Sequence, residues 1–229
     1  MICIPTGIND VEKRAVQEAA EQAGSKRTEL IEEPIAAALG AGIDISEPLG
    51  SMVVDIGGGT CDVAVISLGG IVCGESLRVA GDKFDSDIES YIKKEYNLMV
   101  GERTAENIKI KIGAAYPGAR KEIMSVRGRD VVSGLPKNIN VSSDEIAAAL
   151  HDSVENIVMC VKSVLEKTPP ELAADVMDHG IVLTGGGAML YGLPDLIRSE
   201  TNIPTMLADD PLSCVAIGTG KALEFNKKY

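Results

Sequence analysis

The 229-residue chain has no tryptophan, two phenylalanines and five tyrosines. With aromatics at 3% and apolar residues at 45%, its core must be built from Ile, Val, Leu, Ala and Met. Positive charge is also short: 22 Lys and Arg against 34 Asp and Glu leave a formal charge of -12. No basic stripe runs along the chain, which excludes a nucleic-acid groove and leaves only local cations for nucleotide phosphates. Cysteine is sparse, scattered and odd in number (Cys3, Cys61, Cys73, Cys160, Cys214). Buried free thiols in a reducing compartment are expected, not a disulfide framework. The two histidines, His151 and His179, lie far apart and make a poor metal site. No signal-peptide pattern and no apolar run of membrane-spanning length appears, so a cytoplasmic protein is expected.

Glycine, by contrast, is plentiful, and one glycine cluster organises the rest. Ser51 to Ile56 is an apolar run that carries Asp55 near its end; Gly57, Gly58, Gly59 and Thr60 follow, then Cys61 to Ile66 alternates with period two. This pattern predicts a strand, a tight turn and a second strand. Without a Cβ, the backbone of such a turn can approach a ligand closely, and its successive N–H groups make an anion-binding concavity. Asp55 stands where a hydrated divalent cation or an attacking water could be held. The plainer alternative is a glycine-bulged hairpin with a strand-end Asp.

Around this hairpin the order of elements predicts an α/β protein. Met1–Pro5 reads as a strand, Val11–Ala23 as a helix closed by Gly24, and Thr28–Ile31 as a second strand. Pro34 suits the first turn of a helix, which puts Glu33 at a strand-to-helix junction beside the positive helix end. There Glu33 either orients a water or merely supplies helix-start charge. Ala36, Ala37, Ala38 and Gly40 are small enough for close packing. A third strand, Ile71–Val79, completes a meander with the central hairpin. Asp82 is a candidate cap for a helix from Phe84 to Tyr96. A loop, Asn97–Gly101, precedes a helix from Glu102 to Ala114, on which Glu106 and Lys109 share a face. They either bracket a polar ligand or form a surface ion pair. Glu122–Gly128 and Asp130–Leu135 read as short strands, and Ser142 with Glu145 has capping-box spacing ahead of a helix to Leu165. Residues 97–141 thus read as a small inserted subdomain.

A second glycine cluster, Gly185, Gly186, Gly187 and Ala188, follows another apolar run, Ile181–Thr184. Two such strand ends say far more than one: one cluster suits phosphates, the other a sugar or base. Neither matches the Walker A pattern. Gly218-Thr219-Gly220-Lys221 imitates its end but lies inside a helical pattern, Leu212–Phe225. A dinucleotide fingerprint needs a helix directly after the first glycine turn, where this chain has a strand.

Four stretches resemble the MreB family of bacterial actin homologues: Ile31 to Gly40, Met52 to Thr60, Gly101 to Glu106, and Leu183 to Ala188. Val126 to Asp130, Thr168 to Leu172 and Asp210 to Leu212 strengthen the likeness, which covers essentially the whole chain. It implies an actin-like ATPase (ribonuclease H-like) fold, holding the second lobe plus the C-terminal part of subdomain IA. The implied division is 1–50 in IA, 51–96 and 142–210 in IIA, 97–141 in IIB, and 211–229 as a helix returning to IA. The cofactors implied are ATP and Mg2+. Catalytic roles fall on Glu33, which positions water, and on Asp55, which faces the metal through water. Nucleotide contacts fall on Gly57, Gly58, Gly59, Thr60, Glu102, Glu106, Lys109, Gly185, Gly186, Gly187 and Ala188. Self-association into filaments, membrane and cell-elongation partners, and a place at the inner face of the cell membrane are likewise implied.

In that family an upstream segment supplies a first phosphate hairpin with its own metal-facing Asp, and Met1–Pro5 corresponds to an internal strand. Weakened ATP binding and impaired hydrolysis are therefore expected of this chain alone. A small-molecule kinase of the same superfold, a chaperone ATPase, and a truncated non-catalytic filament subunit are the competing readings.

Overall fold

The computed structural model describes residues 1–225; the polar tail expected at Lys227–Tyr229 lies outside them. A five-stranded sheet carries the fold. Strands β3 (Ser51–Ile56), β4 (Cys61–Ser67) and β5 (Gly70–Leu77) form the expected antiparallel meander. Strand β9 (Ile181–Thr184) pairs parallel to β3, and β10 (Thr205–Leu207) parallel to β9, giving the order β10-β9-β3-β4-β5. Central strands covered on both faces are largely apolar, and in β3 and β4 the buried exceptions are Asp55 and Asp62. Val53, Val54, Ile56, Cys61, Val63, Ala64, Val65 and Ile66 are all fully buried.

Alternation sends these residues to two different cores. Met52, Val54, Ile56, Cys61, Val63 and Val65 meet helices α3 (Gly81–Tyr96) and α5 (Ser143–Lys167). From α3 come Phe84, Ile88 and Ile92, spaced by four; from α5 come Ile146, Leu150, Val154, Ile157, Val161 and Val164. The opposite set, Val53, Ala64 and Ile66, meets Ala37 and Ala38 of α2 (Glu33–Gly40), over which α8 (Cys214–Phe225) is packed. The result is a sheet between two helical layers. Strands β1 (Ile2–Ile4) and β2 (Leu30–Glu32) pair parallel in a separate two-stranded sheet, joined by α1 (Asp10–Gln22). No residue of α1 is buried, so its apolar positions do not belong to the core.

A third sheet joins β6 (Leu98–Met99), β7 (Ile123–Asp130) and β8 (Pro136–Ser142), next to α4 (Glu102–Ile112). Here three expectations are corrected. The stretch Asn97–Gly101 contains a strand. Asp130–Leu135 is a turn: Asp130 Oδ1 accepts from the N–H groups of Val132 (3.0 Å) and Ser133 (2.8 Å), and the partner strand begins at Pro136 instead. Asp82 does not cap α3, which starts at Gly81, three residues before the expected Phe84, with Ala80 at the cap position.

The capping box is present. The Ser142 hydroxyl accepts from the Glu145 N–H, and the Glu145 carboxylate accepts from the Ser142 N–H at 2.8 Å. Ser142→Ala is expected to lower stability by about 1 kcal/mol, read as a shift of the urea midpoint. The chain continues through α6 (Pro170–His179), β9, a single 3-10 turn (Gly187–Met189) and α7 (Leu193–Thr201) to β10 and α8.

Candidate nucleotide cleft

Parallel pairing of β3 with β9 sets Asp55 beside Thr184, so both glycine loops leave the same end of the sheet side by side. In the first loop the Gly57 N–H donates to the Thr60 carbonyl at 2.9 Å. The carbonyls of Gly57 and Gly58 turn toward α3, accepting from the N–H groups of Gly81 (3.1 Å) and Asp82 (2.9 Å). Among the described residues, the N–H groups of Gly58, Gly59 and Thr60 have no hydrogen-bond acceptor. That is the donor set an anion needs.

The second cluster needs glycine for a different reason. Gly185 has φ +85°, and a Cβ there would lie 2.2 Å from the Ile56 carbonyl oxygen. A Cβ on Gly187 would lie 2.5 Å from Ile56 Cγ2. The loop therefore rests directly on the end of β3, which lets it share a cleft with Gly57–Thr60.

The cleft has a volume of about 820 Å³ and is lined by both loops, by Glu33 and Asp55, and by Glu106 and Lys109 from α4. Of the residues singled out by sequence, two are elsewhere. Glu102 is exposed in the first turn of α4, and Ala188 is buried behind the second loop; neither lines the cleft. Sequence reading missed Asp82 and Asp85 of α3 and the apolar patches at Ile110, Met189, Leu190, Leu212 and Val215. A larger groove, about 970 Å³, lies between the β1–β2 sheet and the α2 and α8 helices. It is mainly aliphatic and holds neither a glycine loop nor Asp55, so the chemistry belongs to the smaller cleft.

Asp55 is only 5% exposed, and the Thr184 hydroxyl donates to its Oδ1 at 2.7 Å. Burial lifts the Asp55 carboxyl to about 6, against the pull of Thr184 and helped by the charge of Asp62. Glu33, at the N-terminus of α2, is raised to about 7 by burial, then by Asp62 and Asp55. Asp62 stands directly across from Asp55 in the β3–β4 register, wholly buried, with Oδ1 accepting from the Thr6 N–H at 2.8 Å. It is a third carboxylate that the motif alone did not reveal; only hairpin register brings it opposite Asp55.

The Glu106–Lys109 ion pair does not form. Lys109 Nζ instead donates to Asp85 Oδ2 at 2.8 Å and to the Gly81 carbonyl at 3.0 Å. Asp85 is nearly buried, and a buried partner outcompetes a solvated neighbour on the same helix. Burial raises the Asp85 carboxyl, with Lys109 opposing.

The donor set fits a magnesium nucleotide. Asp55 Oδ2 has no hydrogen-bond donor among the described residues, so a hard anionic oxygen is available to a hydrated cation at the cleft floor. A Cβ on Gly59 would meet nothing within 4 Å, leaving that loop tip open to a ligand.

Comparison with known proteins agrees. The model of the MreB/Mbl protein family matches residues 1–229. The cell shape-determining protein Mbl of Bacillus subtilis is 56% identical over 98% of this chain and 67% of its own length. The cell shape-determining protein MreB of Escherichia coli is 51% identical over 98% of this chain and 65% of its own. This chain thus spans about two thirds of these relatives. The crystal structure of MreB5 of Spiroplasma citri bound to ADP superposes with a TM-score of 0.94 at 41% identity, over 99% of this chain and 70% of that one. With two glycine loops and a buried Asp at one sheet end, and these relatives, the chain belongs to the MreB/Mbl family of actin-like, nucleotide-binding cytoskeletal proteins that determine cell shape.

Proposed function

We propose that this chain binds ATP with Mg2+ in the cleft and assembles with copies of itself into filaments. The observation that carries the reading is the side-by-side placement of Gly57–Thr60 and Gly185–Gly187 around Asp55. The free N–H groups of Gly58, Gly59 and Thr60 bind the terminal phosphates. Gly185, Gly186 and Gly187, with the apolar side chains of Met189 and Leu212, receive the nucleoside. Glu106 and Lys109 meet the sugar and base from α4, with Glu102 further out on the same helix. Ala188 supports the loop from behind. Asp55 holds Mg2+ through water, and the ion supplies charge that offsets the phosphates. Glu33 orients the attacking water; with its carboxyl near 7 it is able to accept a proton at neutral pH.

The division into IA (1–50 and 211–229), IIA (51–96 and 142–210) and IIB (97–141) is part of this proposal. Self-association is supported by membership of this family of cytoskeletal proteins. No helix among the described residues is long and apolar enough to cross a membrane. Contact with the inner membrane face and with cell-elongation proteins is part of the same proposal.

Calorimetric titration of the 229-residue protein with ATP tests the reading. Binding is expected in Mg2+ and should weaken at least about tenfold in chelator, the loss of one strong charged contact. Absence of heat in both arms ends it. Nucleotide-dependent light scattering tests assembly.

A further inference from the structure

The phosphate loop and the nucleoside side of the cleft meet at a single residue. The Gly81 N–H donates to the Gly57 carbonyl at 3.1 Å, and the Gly81 carbonyl accepts from Lys109 Nζ at 3.0 Å. There is little slack at this junction. A Cβ on Gly81 would stand 3.2 Å from the Gly57 oxygen and 3.5 Å from Lys109 Nζ. An ammonium has three donors. Gly81 takes one and Asp85 Oδ2 takes another at 2.8 Å, which leaves one for the cleft that Lys109 lines.

Asp85 is costly where it is. It is 8% exposed, and its Oδ1 is buried without a hydrogen-bond partner. A buried carboxylate with one oxygen unsatisfied lowers stability. Asp85 lies past the first turn of α3, where Asp82 is the acidic residue, so helix-start charge does not account for it. What Asp85 supplies is a fixed position for a long, flexible cation that would otherwise sample many rotamers.

We infer that Asp85 is a positioning residue for nucleotide binding: it holds the Lys109 ammonium against the Gly81 carbonyl, so that Lys109 and the Gly57–Gly59 loop meet the ligand as one bonded unit. The inference rests on the nucleotide reading above and adds a residue and a coupling to it. Contact at the phosphates and contact at Lys109 then reinforce each other through Gly81.

A double-mutant cycle on the full 229-residue protein, read by calorimetric titration with ATP and Mg2+, tests it. Asp85→Asn should weaken ATP binding about tenfold, the scale of one hydrogen bond to a charged group. Lys109→Met should weaken it by at least as much. In the double variant the Asp85→Asn loss should vanish, leaving an affinity within about twofold of Lys109→Met. A merely structural role would give the same Asp85→Asn loss in either background. Asp85→Glu, which keeps the charge, should recover most of the affinity and serves also if the amide variant folds poorly. ATP binding by Asp85→Asn within twofold of the parent, or losses that multiply in the double variant, overturns the inference while leaving the nucleotide reading intact. If the parent protein binds no ATP, the reading itself falls.

Discussion

Gly218→Ala is expected to cost more than about 3 kcal/mol, the upper range for overpacking against atoms that cannot turn aside. A Cβ at 218 would lie 1.7 Å from the Ala36 carbonyl oxygen and 2.9 Å from the Gly40 nitrogen. The contact is reciprocal, since a Cβ on Gly40 would lie 1.8 Å from the Cys214 carbonyl oxygen. Both obstacles are main chain, so no rotamer change relieves them; α2 and α8 would have to move apart. Separation would open the small core of Ala37, Ala38, Val53, Ala64 and Ile66. It would also shift Val215, which lines the cleft from the first turn of α8, and Glu33 at the start of α2. Two residues along the same helix, Gly220 has nothing within 4 Å of its would-be Cβ. Gly220→Ala should therefore stabilise by about 0.5–1 kcal/mol through helix propensity alone. Urea denaturation separates the two: the midpoints should move in opposite directions at constant slope. A Gly218→Ala protein with the parent's midpoint would refute the backbone-contact account of this helix pair.

That helix pair also marks what a sequence can and cannot disclose. The run Ala36–Gly40 announces close packing by its size. Its partner, Gly218, was legible only as a glycine in a helix, because the contact joins residues far apart in the chain. Local rules worked where one element decides the outcome, as with the Ser142 box, the β3–β4 hairpin and Pro34 opening α2. They failed at Val131 and Val132, whose β-branched side chains suggest a strand. Both are exposed, and the backbone follows the Asp130 side chain into a turn. Pro136 can then begin β8, since the first strand position tolerates a missing N–H.

The cleft shows the same division. Asp55, Glu33 and the two glycine loops were legible because strand ends and helix starts are local features. Asp62 and Asp85 were not. Asp62 looks like one polar residue in an alternating strand until register sets it across from Asp55. Asp85 looks like ordinary helix-start charge until α4 brings Lys109 to it. Lys109 in turn had a satisfactory local partner in Glu106, and only burial makes the distant one better.

Asp55→Asn is expected to stabilise the ligand-free protein at pH 8 while abolishing the magnesium dependence of ATP binding. The folded state holds the Asp55 proton to about 6, against an ordinary aspartate value of 3.8. For an acid raised by folding, ionisation favours the unfolded chain. Below about pH 4 the carboxyl is protonated in both states and carries no penalty. Between about 4 and 6 the penalty grows, and above that it is complete, on the order of 2–3 kcal/mol. Glu33, raised to about 7, extends the decline in stability toward neutral pH in the same direction. An asparagine has nearly the same shape, its amide oxygen can still accept from the Thr184 hydroxyl, and it has no charge to desolvate. Urea midpoints of parent and variant should therefore coincide near pH 4 and diverge as pH rises, with the variant ahead. A variant less stable than the parent at pH 8 would show that the buried carboxylate is paid back by interactions within the fold. If the gain appears, the charge at Asp55 is a cost to the ligand-free protein that a bound cation offsets. Stability and metal-dependent binding then respond in opposite directions to one atom's change at the end of β3.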